Sequence, residues 1–206
     1  MDKSYSLAAK LFLVSGQLPG LTGGMTFYET PTGEKVNSRV LVAYLLAATI
    51  EDLKNRGALE YEEKEMKALL GQLPILVLRR KKTDGIGFEK TLLAALDKEM
   101  NLIDLVKKLI GGLYQLPEYQ ILWLIRQEFP QAEFMREETV KMMFVFSRKE
   151  TRWIPEKVQP LATKWLPELK PVWEKTLKLS WLKTCVRNCN FGFSFTKVQP
   201  KDDDKD

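Results

Sequence analysis

The stretch "NSRVLVAYLLAATIEDLKNRG", residues Asn37–Gly57, carries the strongest fold signal in the sequence. Its apolar residues recur every three or four positions, the spacing of a helix that buries one face. These apolar positions are Val40, Leu41, Tyr44, Leu45, Ala48 and Leu53. Asn37 or Ser38 can cap the start, and Gly57 can end the helix. The stretch therefore predicts a long helix packed on a core.

Strands and further helices are predicted after this helix. "ALEYE" (58–62) and "LPILVLRR" (73–80) are typical of strands, and a Glu/Lys/Met segment separates them. Asp84-Gly85 predicts a turn. Three more helical patterns follow, namely "FEKTLLAALDKEM" (88–100), "NLIDLVKKLIGGL" (101–113) and "PEYQILWLIRQEF" (117–129).

The N-terminal region predicts a short amphipathic helix over residues 4–14 and then a long irregular loop. The loop, Gly16–Gly33, is rich in glycine and proline. Loops of this length inside a compact domain are often functional. Within it, "MTFYET" (25–30) presents two aromatic residues, Phe27 and Tyr28. We therefore treat this loop as a candidate part of a binding site.

The C-terminal third predicts a strand pair, broken helices and a final strand. In "EETVKMMFVFSRKETRWIP" (137–155), the apolar run Met142–Phe146 indicates a strand, and "RKET" (148–151) is a candidate hairpin tip. From residue 156 to 183 the helical pattern is interrupted by three prolines, which predicts short pieces. "NFGFSF" (190–195) alternates phenylalanine with smaller residues, which predicts a terminal strand. Those three prolines are Pro160, Pro167 and Pro171.

The predicted fold class is mainly α: a helical bundle with small antiparallel β-hairpins. The chain has 206 residues and is 45% hydrophobic, enough for one large core. We predict a single globular domain over residues 1–200 and a disordered acidic tail, "KDDDKD", over residues 201–206. No apolar run approaches the roughly 20 residues that a membrane-spanning helix needs, and the prediction is a cytoplasmic protein that can also lie peripheral to a membrane.

Recognisable catalytic chemistry is missing from the sequence. With no histidine, the commonest general base and zinc ligand are absent. There is no Walker loop and no dinucleotide-binding glycine motif. The two cysteines, Cys185 and Cys189, are four residues apart, which suits one helix face; buried or idle thiols are favoured over a redox pair or a metal site. We predict a protein that is not an enzyme, with no catalytic residue, metal or cofactor.

Three features remain, each with two interpretations. Arg79–Lys82 follow a strand, where they can protect its edge from strand association or contact an anion. Arg126 follows Trp123 on an apolar helix and is either a surface residue at the helix rim or a phosphate ligand. Four tryptophans near basic residues suit a lipid interface, yet a four-residue ladder of leucine and tryptophan is also ordinary core packing. These tryptophans are Trp153, Trp165, Trp173 and Trp181.

Several segments, in this order, resemble the Golgi phosphoprotein three family over about residues 41–179. The first is "VAYLLAATIEDLKNRGALEYE" (42–62), an alanine- and leucine-rich helix that ends in glycine. "ILVLRR" (75–80), "FEKTLLAALDKE" (88–99), "LIDLVKKLIGG" (102–112) and "MMFVFSRKETRWIPEKVQPLATKWL" (142–166) follow. The resemblance implies a mainly helical peripheral membrane protein that binds phosphatidylinositol 4-phosphate and, in eukaryotic members, retains Golgi enzymes.

The resemblance also implies a head-group pocket built from an aromatic residue and arginines. Phe27 or Tyr28 stands where the family has a tryptophan in the loop after the first helix. Arg39 precedes the next helix, about two turns earlier than the family's arginine, and Arg126 lies near the family's arginine pair, without a second arginine three residues on. With the basic strand end, the predicted head-group residues are Phe27, Tyr28, Arg39, Arg79, Arg80 and Arg126.

The functional hypothesis is therefore a non-enzymatic peripheral membrane protein that binds anionic phospholipid head groups. One alternative is a tandem winged-helix-like nucleic-acid-binding protein, whose basic hairpin tips would contact DNA. Its candidate recognition helices hold few Arg, Lys, Asn or Gln in a row, so nucleic acid is the less favoured partner. Another alternative is a protein-interaction scaffold whose strand Phe191–Phe195 pairs with another chain.

Overall fold

The structure, a computed structural model, describes residues 5–21, 27–68, 71–111, 116–142 and 146–194. The predicted acidic tail, residues 201–206, lies outside the described residues. The helices are α1 (Leu7–Val14), α2 (Ser38–Asn55), α3 (Gly87–Ala95), α4 (Leu102–Ile110), α5 (Pro117–Arg126), α6 (Gln131–Phe134), α7 (Pro155–Leu177) and α8 (Leu182–Ser194). The strands are β1 (Phe27–Glu29), β2 (Lys35–Asn37), β3 (Leu59–Ala68), β4 (Gly71–Arg80), β5 (Glu99–Asn101), β6 (Met135–Met142) and β7 (Phe146–Trp153).

The prediction of a mainly α helical bundle is wrong, because the described residues form a mixture of helices and sheets. β3 and β4 are ten residues long and pair antiparallel over their whole length, and β5 joins β4 to make a three-stranded sheet. β1–β2 and β6–β7 form two further antiparallel pairs. The sequence underestimates β3 because residues 62–67 are exposed and mostly charged, so they lack the apolar alternation that indicates a strand.

The central helix α2 confirms the strongest prediction. The Asn37 side chain caps it by accepting hydrogen bonds from the backbone N–H groups of Arg39 and Val40, both at 3.1 Å. Gly57 ends it with a φ of +65°, a conformation that favours glycine. α1, α5, α7 and α8 all pack on α2, so α2 is buried along most of its length. This helix is the core around which the other elements are arranged.

The next three helices are also confirmed, with one boundary changed. α3 ends at Ala95, because Glu99–Asn101 leave the helix and pair with Val77–Arg79 of β4. α4 then begins at Leu102, where Asn101 caps it by accepting from the backbone N–H of Asp104 (2.9 Å). The predicted helix over residues 88–100 therefore extends too far, because α3 ends at Ala95 and Glu99–Asn101 form β5.

α7 overturns the prediction that prolines cut this region into short pieces. It is one helix of 23 residues with Pro160, Pro167 and Pro171 inside it. All three prolines are exposed, so the hydrogen bonds that they remove lie on the solvent side. The opposite face packs on α1 and α2 through its buried side chains, and this burial outweighs the local cost. Those side chains are Val158, Ala162, Trp165, Leu169, Trp173 and Thr176.

The predicted terminal strand over residues 190–195 is wrong as well, since α8 continues to Ser194. Phe195 lies outside the described residues. α8 packs against α2, α4 and the sheet. The Asn188 side chain accepts a hydrogen bond from Leu76 N (2.9 Å) and donates one to Pro74 O (3.0 Å). It thus supplies hydrogen-bond partners to backbone groups of β4 that lie beyond the end of β5. Gly192 allows the close approach of α4, because a Cβ there would meet Val106.

The β6–β7 hairpin places its turn differently from the prediction. β6 and β7 pair as far as Met142 opposite Phe146, so residues 143–145, which lie outside the described residues, join the strands. "RKET" (148–151) therefore belongs to β7 and is not the hairpin tip. The predicted loop over residues 16–33 is also partly wrong: Phe27–Glu29 form β1, while residues 22–26 are outside the described part.

Among the residues that the structure describes, none of the helices combines the length and the apolar content that crossing a bilayer requires.

The two cysteines lie side by side on α8 and are buried, as their spacing indicates. The hydrogen bond with Cys185 and the burial raise the pKa of the Cys189 thiol well above its usual value of 9.0. The folded protein therefore holds the Cys189 proton more tightly than the unfolded chain does. This contribution to the free energy of unfolding is present below the pKa that Cys189 has in the unfolded chain, and it is lost as the pH rises through the pKa that Cys189 has in the folded protein.

We therefore expect both thiols to resist alkylation in the native protein. Labelling with iodoacetamide at pH 8 should be slower than in urea-unfolded protein by at least about an order of magnitude, since the thiolate is the nucleophile. Mass spectrometry of labelled peptides measures this for each cysteine. Equal labelling rates in the native and unfolded protein would contradict the burial of the pair.

Candidate anion-binding cavity

A cavity of about 400 Å³ lies between β1, one side of α5 and the base of the β6–β7 hairpin. Three segments far apart in the sequence therefore build its walls. Phe27 and Tyr28 come from β1, Tyr119 and Arg126 from α5, and Trp153 from the end of β7. Four aromatic rings, three arginines and three glutamates line it, so an anion can bind only where an arginine is not already paired with a carboxylate.

The β1–β2 hairpin is held in place by aromatic contacts. Tyr28 packs its ring between Phe12 of α1 (centroids 5.8 Å apart) and Tyr119 of α5 (5.5 Å). The Tyr119 hydroxyl donates to the carbonyl of Phe27 (2.7 Å), which fixes β1 on α5. Since neighbouring strand residues point to opposite faces, Tyr28 turns inward and Phe27 outward. Phe27 is 52% exposed.

Arg126 is the central charged group of the cavity. Its guanidinium lies over the Trp153 ring, 5.4 Å from the centroid, and donates to the Thr151 carbonyl (2.8 Å) and to Met135 Sδ (3.0 Å). Burial lowers the pKa of Arg126, although an arginine stays protonated at neutral pH. Among the side chains that the structure describes, no carboxylate forms an ion pair with it. Within the described part of the chain, Arg126 is thus a half-buried cation without a carboxylate partner.

Two further groups bring polar hydrogens to the same place. The Trp153 side chain is only 9% exposed, and among the described residues its Nε1 makes no hydrogen bond of full geometry, although it lies close enough to the Tyr28 hydroxyl to lower the pKa of Tyr28. Burial raises the pKa of the neighbouring Tyr28, while the positive charge of Arg126 partly offsets the rise. Tyr28 therefore keeps its proton at neutral pH. A buried donor without a full hydrogen bond, such as the indole N–H, costs free energy, which a ligand acceptor would recover.

The base of the β6–β7 hairpin adds two arginines and two glutamates in an unusual arrangement. Arg136 lies directly opposite Arg152 in the strand register, and Glu138 lies opposite Glu150. Like charges directly opposite each other destabilise a strand pair. Ion pairs offset this: Arg136 with Glu138 (2.6 Å), Arg152 with Glu150 (3.3 Å), and Arg152 with Glu138 (3.6 Å).

The three arginines and three glutamates of the lining carry equal and opposite formal charge, but the arginines differ in whether a carboxylate pairs with them. Glu138 and Glu150 are engaged by Arg136 and Arg152, and Glu29 is an exposed acid at the edge. Of the three arginines that line the cavity, only Arg126 forms no ion pair with a carboxylate that the structure describes. The strongest position for an anion is consequently the one next to Arg126 and the Trp153 N–H.

The structure brings together only part of the predicted site. Phe27, Tyr28 and Arg126 line the same cavity. Arg39 does not line it, because its Nε points to the buried Glu118 carboxylate (3.4 Å) at the start of α5. One Glu118 oxygen remains without a donor, so this pair is incomplete. Arg39 is thus a neighbour of the cavity walls and not part of the cavity.

Arg79 and Arg80 belong to a different part of the protein. Arg79 pairs with Glu99 of β5 (2.5 Å), and Arg80 donates to the Leu93 carbonyl (2.8 Å). Neither lines the cavity. The interpretation as a protected strand edge is also wrong for Arg79, since β4 is the central strand there and β5 covers it. Arg79 therefore pairs with an acid of its own sheet, and Arg80 binds a carbonyl of α3.

Sequence reasoning missed Arg136, Arg152, Tyr119, Trp123 and Leu116. The two arginines become neighbours only through the strand register, which no local pattern reveals. For α5 a signal existed, because Leu116, Tyr119, Trp123 and Arg126 recur at three- and four-residue spacing on the exposed side of the helix. This row of residues was overlooked because the sequence around Trp123 is apolar on all sides. The core interpretation of the other four tryptophans is confirmed by their burial.

A second depression of about 470 Å³ shares Tyr28, Tyr119 and Arg126 with the cavity and extends to Trp123. A larger cleft of about 620 Å³ lies elsewhere, between α1, α2 and α7. Three charged groups of this cleft pair with each other: Arg56 binds Asp52 (2.7 Å) and Glu89 (2.8 Å). In the described ranges, no group of three acidic or cysteine side chains is arranged to hold a metal ion.

The chain matches no protein-family model, no curated protein and no solved structure.

Proposed function

We propose that this protein binds anionic, phosphate-bearing lipid head groups at the cavity around Arg126, as a peripheral membrane protein without enzymatic activity. The observation that carries the proposal is the half-buried Arg126 guanidinium, which has no carboxylate partner in the described part of the chain and lies over the Trp153 ring, whose indole N–H is also buried in the cavity wall. A phosphate oxygen can accept from both groups. Hydrogen bonds between ionised partners are about twice as strong as neutral ones.

The surrounding residues support a head group larger than a bare phosphate. The cavity volume of about 400 Å³ is within the range of small-molecule sites, about 300–1,000 Å³. Arg136 and Arg152 lie on the far wall and can contact further phosphate oxygens, while Glu138 and Glu150 can accept from hydroxyl groups. The resemblance to the Golgi phosphoprotein three family points in the same direction. Three of the head-group residues predicted from the sequence, Arg39, Arg79 and Arg80, are not part of the proposed site.

We expect Arg126→Gln to weaken binding to anionic vesicles by roughly tenfold or more, because one charge-assisted contact is worth about 1.5–3 kcal/mol. Sedimentation with phosphatidylcholine vesicles, with and without phosphatidic acid, measures this. Binding should also fall as salt rises, since exposed charges are screened. Circular dichroism of the variant checks that the fold is retained.

The matched control is Arg79→Gln, which removes an exposed arginine of the same charge outside the cavity. If both substitutions weaken vesicle binding equally, the effect is one of net charge and the proposed site is wrong. If the wild-type protein sediments equally poorly with neutral and anionic vesicles, the function itself is wrong. Retardation of duplex DNA that Arg126→Gln abolishes would instead favour the nucleic-acid alternative.

A further inference from the structure

Exposed apolar side chains are concentrated around the Arg126 cavity. Five large apolar residues are exposed in the part of the chain that the structure describes, and three of them lie on β1, on α5 or immediately before α5, the elements that form two walls of the cavity. They are Phe27 (52% exposed), Leu116 (53%) and Trp123 (46%). Phe27 lines the cavity, and Trp123 lines the adjoining depression. Large apolar residues that cluster on a surface mark sites of interaction.

These three residues belong to one continuous surface. Leu116 is the residue that precedes α5, and Trp123 lies seven positions later, two turns along the same side of the helix. Tyr119 lies between them and holds Phe27 through its hydrogen bond to the backbone carbonyl (2.7 Å). Arg126 follows Trp123 by three positions on this side. The apolar surface and the unpaired cation are therefore neighbours on one helix.

We propose that Phe27, Leu116 and Trp123 form a membrane-inserting rim, which enters the interface between head groups and acyl chains while Arg126 holds a phosphate. This inference rests on the proposed function and adds how the cavity meets a bilayer. The occupant is a lipid surface because the rim pairs apolar and aromatic side chains with an adjacent cation. Tryptophan is favoured at head-group depth, and interfacial apolar residues bury themselves about 5–10 Å into this boundary.

A protein partner fits these observations less well. Arginine and aromatic side chains also occur in protein interfaces, but a protein partner would have to bring both an apolar patch and an anionic group to this one place. An anionic bilayer offers both an apolar layer and phosphates at the adjacent depth. The rim also explains why a bilayer would be bound more tightly than a soluble head group, because only the bilayer supplies the apolar layer.

The fluorescence of Trp123 tests insertion. The four other tryptophans are at most 9% exposed, so Trp123 is the one whose environment changes most on burial. With phosphatidylcholine vesicles containing phosphatidic acid, we expect a blue shift of the emission and quenching by lipids brominated near the head group. Both signals should vanish in Trp123→Phe. If they persist in that variant, they arise from Trp153 in the cavity, and the proposed insertion of Trp123 is overturned.

A second measurement separates insertion from head-group binding. The double substitution Leu116→Ser and Trp123→Ser, which leaves the lining of the cavity intact, should lower vesicle affinity by at least about tenfold. It should leave binding of a water-soluble short-chain phosphatidic acid, measured by calorimetry, within about twofold of wild type. Unchanged vesicle affinity would overturn the rim and leave head-group binding standing. No binding of either ligand by the wild-type protein would overturn the proposed function and the rim together.

Discussion

Trp173→Ala is expected to lower the free energy of unfolding by about 3–5 kcal/mol, the usual cost of truncating a fully buried tryptophan. Trp173 has 0% exposure on the inner face of α7. Its ring packs on Tyr44 of α2 with centroids 5.5 Å apart, and its Nε1 donates to the Pro19 carbonyl (3.0 Å). The substitution would leave a cavity and an unpaired carbonyl at the contact between α7 and α2.

Urea unfolding followed by far-ultraviolet circular dichroism measures this loss. Trp173→Phe should retain much of the packing and cost less, since it keeps an aromatic ring but loses the hydrogen bond to Pro19. Trp123→Ala is the matched control, because it removes the same side chain from an exposed position; surface substitutions usually stay within about 0.5 kcal/mol. If the alanine variants at positions 173 and 123 lose similar stability, α7 does not pack as described.

Glu128→Ala is expected to cost about 2–4 kcal/mol, because one carboxylate holds the starts of two helices. Glu128 accepts from the Ser6 backbone N–H (2.8 Å), the Ser6 hydroxyl (2.6 Å) and the Phe88 backbone N–H (2.7 Å). Ser6 caps α1, and Phe88 lies in the first turn of α3. A negative charge at helix N-termini is also favoured by the helix dipole. Removing it would loosen α1 and α3 from the end of α5.

The same unfolding measurement tests this, with two comparisons. Glu133→Ala removes an exposed glutamate from a neighbouring helix and should change stability by no more than about 0.5 kcal/mol. In a double-mutant cycle, Ser6→Ala and Glu128→Ala should be coupled by about 0.5–3 kcal/mol, since they remove partners of one network. Additive effects, or a Glu128→Ala variant as stable as Glu133→Ala, would mean that the carboxylate does not join the two helices.

The errors of sequence reasoning came where local and tertiary preferences disagree. Proline disfavours a helix interior, so Pro160, Pro167 and Pro171 predicted breaks; the buried face of α7 keeps the helix continuous. Alternating phenylalanines predicted a strand at residues 190–195, where packing of α8 on α4 and β4 selects a helix. A polar run between the predicted strands hid the length of β3. In each case, burial against distant segments outweighed the local pattern.

The candidate site was predicted in part for the same reason. The sequence identified Phe27, Tyr28 and Arg126 as candidates because aromatic residues in a Gly/Pro-rich segment and an arginine on an apolar helix are visible locally. It also proposed Arg39, Arg79 and Arg80, which have other partners. Arg136 and Trp153 joined the cavity only when the β6–β7 hairpin packed beside α5. A cation's partner depends on which segment lies next to it, and no spacing rule provides that.

The amino-acid sequence by itself determined the elements whose signals lie within one or two turns of chain. These are α2 with its Asn37 cap and its Gly57 end, the helices α4 and α5, and the shared helix face of Cys185 and Cys189. Only the tertiary structure decided the length of β3 and α7, the helical state of residues 190–194 and the isolation of Arg126 from any carboxylate that the structure describes. The physical reason is that capping and periodicity act between residues close in sequence, whereas burial and ion pairing depend on segments that are distant in sequence, as Arg39 and Glu118 or Trp173 and Pro19 are.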